Sequence, residues 1–92
     1  MMNENKHTPQ KIQKNFNLFV LKRILKILRE KGSQKITNLA MYCGLNYASC
    51  KRYLFLMAYL DWIEIANEEG KTKIILTESG KGLEEKLTFL TI

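Results

Sequence analysis

Six residues separate two cysteines, Cys43 and Cys50, and the cations Lys51 and Arg52 directly follow the second one. A thiol beside cations can have a lowered pKa and become a nucleophile. Together with the single histidine, His7, the two cysteines fall short of the four Cys or His ligands that a structural zinc normally takes. No metal site is therefore expected, and a reactive thiol, a redox-sensitive pair and packing cysteines remain to be weighed.

The surrounding sequence argues against catalysis at these thiols. A catalytic thiol needs a base within reach, and no histidine lies near Cys50 in the sequence. The chain also has no Gly-rich phosphate loop and no suitably spaced carboxylate pair. We therefore expect no enzyme and no cofactor. A disulfide between Cys43 and Cys50 would make a redox-sensing regulator, but cytosolic disulfides are rare, so packing between helices is the favoured interpretation.

Size and charge limit the function further. The chain has 92 residues and is 46% apolar, which predicts one globular domain. It has no apolar run of membrane-spanning length, and its first residues resemble no secretory signal, so a cytoplasmic location is expected. Residues 1–61 have a net charge of +8 and residues 62–92 a net charge of −2. A polyanion is therefore the expected partner of the basic part.

Hydrophobic periodicity predicts the order helix, short strand, helix, helix, β-hairpin, helix. The first helix ends near residue 31, an extended stretch covers 33–36, two helices continue to residue 60, and the last helix ends near residue 90. The predicted fold is α+β and mostly helical. We expect residues 1–8 to form a flexible tail and residues 9–92 to form one domain.

Polar residues and glycines mark the expected ends of these elements. The first helix begins either at Pro9 after Thr8, or later, at Asn15 or Asn17. The other predicted N-caps are Thr37, Asn46 and Thr77. The glycines predicted at helix ends and in the hairpin turn are Gly32, Gly44 and Gly70, with Gly32 left-handed. The leucines predicted to line one face of the last helix are Leu83, Leu87 and Leu90.

Two apolar rows run along the first helix and together cover roughly 200° of its surface at about 100° per residue. A helix on a single core needs a stripe of only about 100°. One row consists of Phe16, Val20, Ile24 and Ile27. The other consists of Leu18, Leu21, Leu25 and Leu28. We predict that this leucine row forms a homodimer contact; a central helix in a tight core is the alternative.

The two helices around Gly44 have the spacing of a helix-turn-helix that is counted from Ile36. Ala40 is the fifth residue, where the helices cross and the side chain must be small. Gly44 is the ninth residue and lies in the turn, where a positive φ favours glycine. The apolar positions ten, fifteen and eighteen are Leu45, Cys50 and Tyr53. Together with the hairpin that follows, this spacing is typical of a DNA-binding unit.

Over about residues 16–90, the chain resembles archaeal winged-helix DNA-binding proteins. Members typically have Lys/Arg-Tyr-Leu in the recognition helix, then Gly-Leu-Ile, a wing and "LTEKGK". This chain has Arg52-Tyr53-Leu54, Ile63 and "LTESGKG" at 76–82. The resemblance implies a winged helix-turn-helix, spanning about 37–60 with a wing at about 62–76, whose 46–60 helix enters the major groove. It also implies homodimers on pseudo-palindromic sites, and it suggests a crenarchaeal host or one of its viruses or plasmids.

The chain departs from that pattern after the recognition helix begins. Asp61 replaces the usual Gly, although Asp tolerates the left-handed region better than most residues, and Trp62 replaces Leu. Apolar residues at positions that are usually polar are Phe55, Ala58, Tyr59 and Leu60. For any one of these residues packing in the core is the alternative, but all four together form a surface that needs a partner, which would be a second subunit, the first helix or thymine methyl groups. The alternative function is therefore a protein-interaction module without specific DNA binding.

Helix geometry then assigns roles to side chains. The residues expected to point inward are Cys50, Tyr53, Leu54 and Met57, which turns Tyr47, Ala48, Lys51, Arg52 and Phe55 toward the groove. Arg52 suits guanine because its fork can bond O6 and N7 together, whereas Lys51 suits a phosphate. The wing lysines should contribute less, because Glu68 and Glu69 adjoin them. The predicted DNA-binding residues are Thr37, Asn38, Asn46, Tyr47, Ser49, Lys51, Arg52, Lys71 and Lys73. The predicted function is sequence-specific binding of double-stranded DNA as a transcriptional regulator.

Overall fold

The computed structural model describes residues 16–90, which contain four helices and one antiparallel hairpin in the predicted order. The elements are α1 (Leu18–Lys31), α2 (Ile36–Cys43), α3 (Tyr47–Tyr59), β1 (Ile63–Glu68), β2 (Lys71–Leu76) and α4 (Glu78–Leu90). The mostly helical α+β fold is confirmed. The predicted tail and the possible helix starts at Pro9 and Asn15 lie outside the described residues.

Asn17 begins the described part of α1, because its side-chain oxygen accepts a hydrogen bond from the N–H of Phe19 at 2.7 Å. Gly32 ends this helix at φ 83° and ψ −166°. The predicted left-handed helical conformation is therefore wrong at Gly32. The backbone instead adopts a region that is open almost only to glycine, so the residue type is still explained.

The N-cap of α2 is Lys35 and not Thr37. No side chain caps the first turn of α2, and Thr37 already lies within the helix. The physical reason is Ile36, which packs against the core as the first helical residue and so starts the helix earlier. At the other end, Gly44 adopts the predicted left-handed conformation at φ 67° and ψ 33°.

Both helices around this turn end in the same hydrogen-bond pattern, the Schellman motif. After α2, the N–H of Leu45 donates to the carbonyl of Ala40 at 2.9 Å, and the N–H of Gly44 donates to Met41 at 3.2 Å. After α3, the N–H of Trp62 donates to Met57 at 2.9 Å and that of Asp61 to Ala58 at 3.0 Å. Asp61 has a φ of 64°, so the aspartate preserves the turn that glycine usually makes.

The core draws apolar side chains from α1, α2, α3 and the hairpin. Its buried members are Ile24, Leu25, Leu28, Leu39, Ala40, Cys50, Tyr53, Leu54, Met57, Ile63 and Ile74. From α4, Leu83 and Leu87 pack against this cluster, while Leu90 is 75% exposed and does not continue the predicted face.

The leucine row that was predicted for a dimer contact lies partly inside the monomer. Leu25 and Leu28 are only 0% and 3% exposed, so the prediction is wrong for these two residues. The reason is that α1 packs on α2, β2 and α4, and thus both of its apolar rows enter the same core. Leu21 is half-buried, and Leu18 is the one member of the row that is largely exposed.

Ile74 joins the hairpin to the rest of the fold. Its buried side chain lies opposite Ile65 in the β1–β2 register. Its backbone N–H and carbonyl exchange hydrogen bonds with Gln34, at 2.7 and 3.1 Å. The predicted short strand before α2 is therefore one residue pair long. At the hairpin tip, Glu69 and Gly70 both have positive φ, as a two-residue type I′ turn requires.

Thr77 connects the end of α3 to the start of α4. Its hydroxyl donates to the carbonyl of Asp61 at 2.6 Å and accepts from the N–H of Gly80 at 3.0 Å, which confirms the predicted N-cap. Its own N–H donates to the carbonyl of Trp62 at 3.2 Å. Farther along α4, Arg29 of α1 forms ion pairs of 3.0 Å with Glu84 and 2.8 Å with Glu85.

Gly80 and Gly82 give a matched pair of substitutions on α4. A Cβ at Gly80 would overlap the carbonyl of Trp62 and lie 2.7 Å from Cδ1 of Leu76, whereas a Cβ at Gly82 would meet nothing within 4 Å. Gly80→Ala should therefore lower the free energy of unfolding by ~2 kcal/mol or more through overpacking. Gly82→Ala should raise it by ~0.5–1 kcal/mol, because alanine favours helix. Urea denaturation measures both, and equal effects at the two sites would contradict the packing at Gly80.

Candidate nucleic-acid interface

The helix α3 has one buried face and one exposed face, each built at positions i, i+3, i+4 and i+7. The buried face consists of Cys50, Tyr53, Leu54 and Met57, all 5% exposed or less. The exposed face consists of Ala48, Lys51, Arg52 and Phe55, of which only Lys51 is half-buried. Since residues at this spacing share one side of a helix, the predicted orientation of α3 is observed.

Contacts with the residues just before α1 and with the start of α2 hold α3 in this orientation. The hydroxyl of Tyr53 accepts a hydrogen bond from the N–H of Asn17 at 2.7 Å. The Tyr53 ring makes an edge-to-face contact with Phe16, with centroids 5.2 Å apart. The thiol of Cys50 points to the carbonyl of Ile36, with the sulfur 4.0 Å from the oxygen. These contacts fix which way Lys51 and Arg52 face.

Lys51 lies along an aromatic row on α3. Its Nζ is 5.6 Å from the ring centroid of Tyr47 and 5.6 Å from that of Phe55. Both distances are within the range of a cation–π interaction. The two rings are 50% and 58% exposed, so the ammonium is held at the surface between two accessible aromatic groups.

Arg52 and Asn46 are positioned by the first turns of α3. Asn46 is the predicted N-cap, and its Oδ1 accepts from the N–H of Ser49 at 2.7 Å. The hydroxyl of Ser49 in turn accepts from Nη2 of Arg52 at 3.3 Å. Asn46 and Ser49 therefore have structural tasks here, while the exposed guanidinium of Arg52 keeps its other donors for a partner.

A cleft lies between the N-terminal ends of α2 and α3 and the wing-like hairpin. It is lined by Lys35, Ile36, Thr37, Tyr47, Lys71 and Thr72. Three predicted residues, Thr37, Tyr47 and Lys71, thus come together. Lys35 is not among the predicted residues, because residue type puts the cap at Thr37 and Lys35 in the extended stretch 33–36. Its place directly before an apolar helix start is the signal that could have identified it.

The predicted residues Lys73 and Asn38 lie neither in this cleft nor on the exposed face of α3. Lys73 lines a neighbouring cleft with Lys35, Lys71, Glu68 and Glu69. Lys71 is also the register partner of Glu68, so the acidic residues adjoin the wing lysines as expected. Asn38 is half-buried and lines neither cleft.

The second half of α3 is apolar and mostly exposed. Tyr59 is 87% exposed and Leu60 is 41% exposed, in addition to Phe55. Ala58 differs, because it packs against the core. Three of the four unusual apolar residues therefore remain at the surface of the monomer, where they are available to a partner.

Comparison with known proteins identifies the family. A family model described as "Winged helix-turn-helix" matches residues 4–91. The chain belongs to the winged helix-turn-helix family. No curated protein sequence matches it significantly. In family terms, α2 and α3 are the two helices of the motif, α3 is the recognition helix and the β1–β2 hairpin is the wing.

Solved structures share this winged helix fold at low sequence identity. A MarR family protein from Bacillus stearothermophilus has a TM-score of 0.73 and 19% identity, with 90% of this chain and 60% of that chain covered. The MarR family regulator NMB1585 from Neisseria meningitidis has a TM-score of 0.69 and 22% identity, with 98% and 65% covered. The DNA-binding protein Sso10a-2 from Sulfolobus solfataricus has a TM-score of 0.60 and 21% identity, with 77% and 79% covered. The chain thus spans less than two thirds of either MarR structure.

The described part of the winged helix domain offers neither a membrane span nor a metal cluster. None of the helices between residues 16 and 90 is long and apolar enough to cross a bilayer. Over the same residues, no three His, Cys, Asp or Glu side chains gather in a way that could hold a metal ion. His7 lies outside the described residues.

The thiols of the helix-turn-helix are both free, and neither is activated. Burial raises the pKa of Cys50 to about 11, with a further increase from the nearby Cys43. Burial also raises the pKa of Cys43, which Arg23 partly offsets. The lowered pKa considered for Cys50 from its neighbours Lys51 and Arg52 is therefore wrong, because the thiol points into the core and the two cations point out.

Cys50 should consequently react slowly with thiol reagents. Because only the thiolate reacts, raising the pKa from 9.0 to about 11 lowers the reactive fraction at pH 8 by about a hundredfold. The alkylation rate with iodoacetamide, followed by mass spectrometry of each cysteine, should be at least that much lower for Cys50 than for a cysteine in an unfolded peptide. In urea the difference should disappear. Fast alkylation of Cys50 in the folded protein would contradict this burial.

Proposed function

We propose that this winged helix protein is a transcriptional regulator that binds double-stranded DNA sequence-specifically as a homodimer, with α3 in the major groove. The observation that carries the proposal is the exposed face of α3, where Lys51 and Arg52 lie opposite the buried face. An α-helix fits the major groove, and its outward side chains contact base edges. On the sequence resemblance, we further place the regulator in the cytoplasm of an archaeal host.

Groups that can contact phosphate line one cleft beside the recognition helix and support this docking. The first turn of α2 has no side-chain cap, so its N–H groups are available next to Thr37 and Lys35. Helix N-termini and lysines are common phosphate contacts. Lys71 of the wing lines the same cleft. A DNA backbone that passes this cleft would leave α3 facing the bases.

The structural neighbours support DNA as the partner at the level of fold. Sso10a-2 is described as a DNA-binding protein and NMB1585 as a MarR family regulator. Both are below 25% identical to this chain, so they add to the proposal only that this arrangement of helices and wing occurs in such proteins. The charge distribution is the independent support, because residues 1–61 have a net charge of +8.

A second candidate function is a protein-docking module, and one observation favours it. Phe55, Tyr59 and Leu60 are 58%, 87% and 41% exposed on or beside the second half of α3. Large apolar side chains that cluster at a surface are typical of protein interfaces. The two functions differ in salt dependence, because binding to DNA releases counterions and a mainly apolar protein contact does not.

The proposed homodimer needs a surface other than Leu25 and Leu28. Exposed apolar residues occur at the start of α1, where Leu18 and Phe19 are 54% and 73% exposed. Others occur at the end of α4, where Phe89 and Leu90 are 77% and 75% exposed. We propose that these residues contribute to the contact between subunits, with Leu18 retained from the predicted row and Leu21 beside it.

DNA binding by Arg52 and Lys51 should differ in its sequence dependence. After selection of a preferred site from random duplexes, Arg52→Ala should weaken binding to that site by ~1–3 kcal/mol and have a smaller effect on random DNA. Lys51→Ala should weaken binding to both equally and reduce the salt slope by about 1. Fluorescence anisotropy over a salt series measures all of these values.

Arg52→Lys is the matched control for this pair, since it keeps the charge and removes the two-pronged donor. It should retain affinity for random DNA and lose affinity for the selected site. Lys26→Ala, an exposed lysine on α1, should change neither. If Arg52→Ala loses the same affinity for the selected site and for random DNA, base contact by Arg52 is excluded. If the affinity of the unchanged protein for DNA does not depend on salt concentration, the protein-docking module is favoured.

The proposed subunit contact predicts a change of oligomeric state. Phe89→Ser combined with Leu90→Ser should shift the protein from dimer to monomer, because the exposed apolar area that drives association is removed. Met41→Ser is the control, because Met41 is also an exposed apolar residue, at 67%, but lies on α2. Sedimentation equilibrium measures the mass in each case. If the protein without substitutions is a monomer, the proposed homodimer is contradicted. If the double variant is still a dimer, the proposed location of the subunit contact is contradicted.

A further inference from the structure

We propose that Phe55, together with Ala48, contacts the 5-methyl group of thymine in the major groove, so that binding selects thymine at this position. The inference rests on the proposed function and concerns specificity within it. Lys51 and Arg52 provide charge and polar contacts but leave the apolar half of the exposed face of α3 unexplained. Phe55 and Ala48 form that half.

The position of Phe55 makes it a base-facing residue once α3 enters the groove. It is 58% exposed, and it lies three residues after Arg52 and four after Lys51 on the same side of the helix. The opposite side, with Leu54 and Met57, is buried in the core. A contact of Arg52 with a base edge would therefore bring the Phe55 ring to the same groove.

The chemistry of the groove then identifies what an apolar side chain can contact there. Base edges in the major groove present hydrogen-bond donors, acceptors and, at thymine alone among the four bases, a methyl group. Phenylalanine and alanine are side chains that contact this methyl group. Placing the ring of Phe55 on a purely polar edge would remove water from donors and acceptors without replacing their hydrogen bonds.

The Lys51 ammonium helps to hold the ring in place. It lies 5.6 Å from the ring centroids of both Phe55 and Tyr47. A cation on the ring faces restricts the rotamers of both rings, so less conformational entropy remains to be lost on binding. The Phe55 contact is therefore pre-ordered in the free protein.

The test compares duplexes of identical sequence that contain either thymine or deoxyuridine, which lacks only the 5-methyl group. The duplexes are alternating A·T sequences, and binding is measured by fluorescence anisotropy at low salt. The unchanged protein should bind the thymine duplex at least about threefold more tightly, as expected for the burial of one methyl group. Phe55→Ala should reduce this ratio to near one.

Two further variants distinguish a contact between Phe55 and thymine from a general effect of substitution on folding or affinity. Phe55→Leu keeps an apolar side chain and should keep most of the thymine preference. Met41→Ala shortens an apolar side chain that is 67% exposed on α2, outside the exposed face of α3 and the proposed subunit contact, and should leave the ratio unchanged. Circular dichroism melting checks that each variant is folded.

The outcomes distinguish this inference from the proposed function. If the affinity for the thymine duplex divided by that for the deoxyuridine duplex is the same in the unchanged protein and in Phe55→Ala, the thymine contact is overturned. DNA binding itself would then remain intact. Failure to bind any duplex at low salt would overturn the proposed function itself. A thymine preference that is lost only in Phe55→Ala, with Phe55→Leu and Met41→Ala retaining it, would establish the contact.

Discussion

The junction between Asp61 and Thr77 sets the relation between the recognition helix, the wing and the last helix. Asp61 and Trp62 end α3 in a Schellman motif, and Thr77 then bonds the carbonyls of both residues, at 2.6 Å and 3.2 Å. The hairpin leaves and returns at this one place, so its two ends are fixed to the end of α3. Gly80 permits the closure because a side chain there would overlap the backbone of Trp62. The wing is consequently fixed relative to the recognition helix at both of its ends.

The helix α3 contributes one face to the core and presents the other face at the surface. Its inward residues contact α1, α2 and the hairpin, so the core determines the helix rotation about its own axis. Rotation by one residue would bury Lys51 or Arg52, and an unpaired buried cation is strongly unfavourable. Packing therefore specifies which side chains the helix presents. This is why the pKa of Cys50 is raised rather than lowered although Lys51 and Arg52 follow it: its thiol lies on the buried face of α3, whereas the two cations lie on the exposed face.

Local signals predicted those parts of the fold that depend on local physics. Gly44 requires a positive φ, Asn46 and Thr77 bond nearby N–H groups, and the apolar spacing around Tyr53 needs only helix geometry. The errors have non-local causes. The prediction of a subunit contact at Leu25 and Leu28 fails because periodicity shows how wide an apolar surface is but not how many neighbours cover it. Residue type favours Thr37 as the cap, whereas packing of Ile36 against the core decides where α2 begins. Lys35 was missed for the same reason, since its role depends on the wing lying beside it.

Charge placement gives the proposed interface its asymmetry. Lys35 and Lys71 share the cleft beside α3. Farther out on the wing, Glu68 and Glu69 adjoin Lys71 and Lys73 and cancel much of their field. A polyanion would thus be attracted mainly to the N-terminal ends of α2 and α3 and only weakly to the wing tip. On the proposed function, affinity arises near the helix-turn-helix while the wing positions the backbone. Tyr59 and Leu60 lie at the opposite end of α3 from this basic zone. Contacts with bases or with another protein surface, rather than phosphate attraction, would determine what they bind.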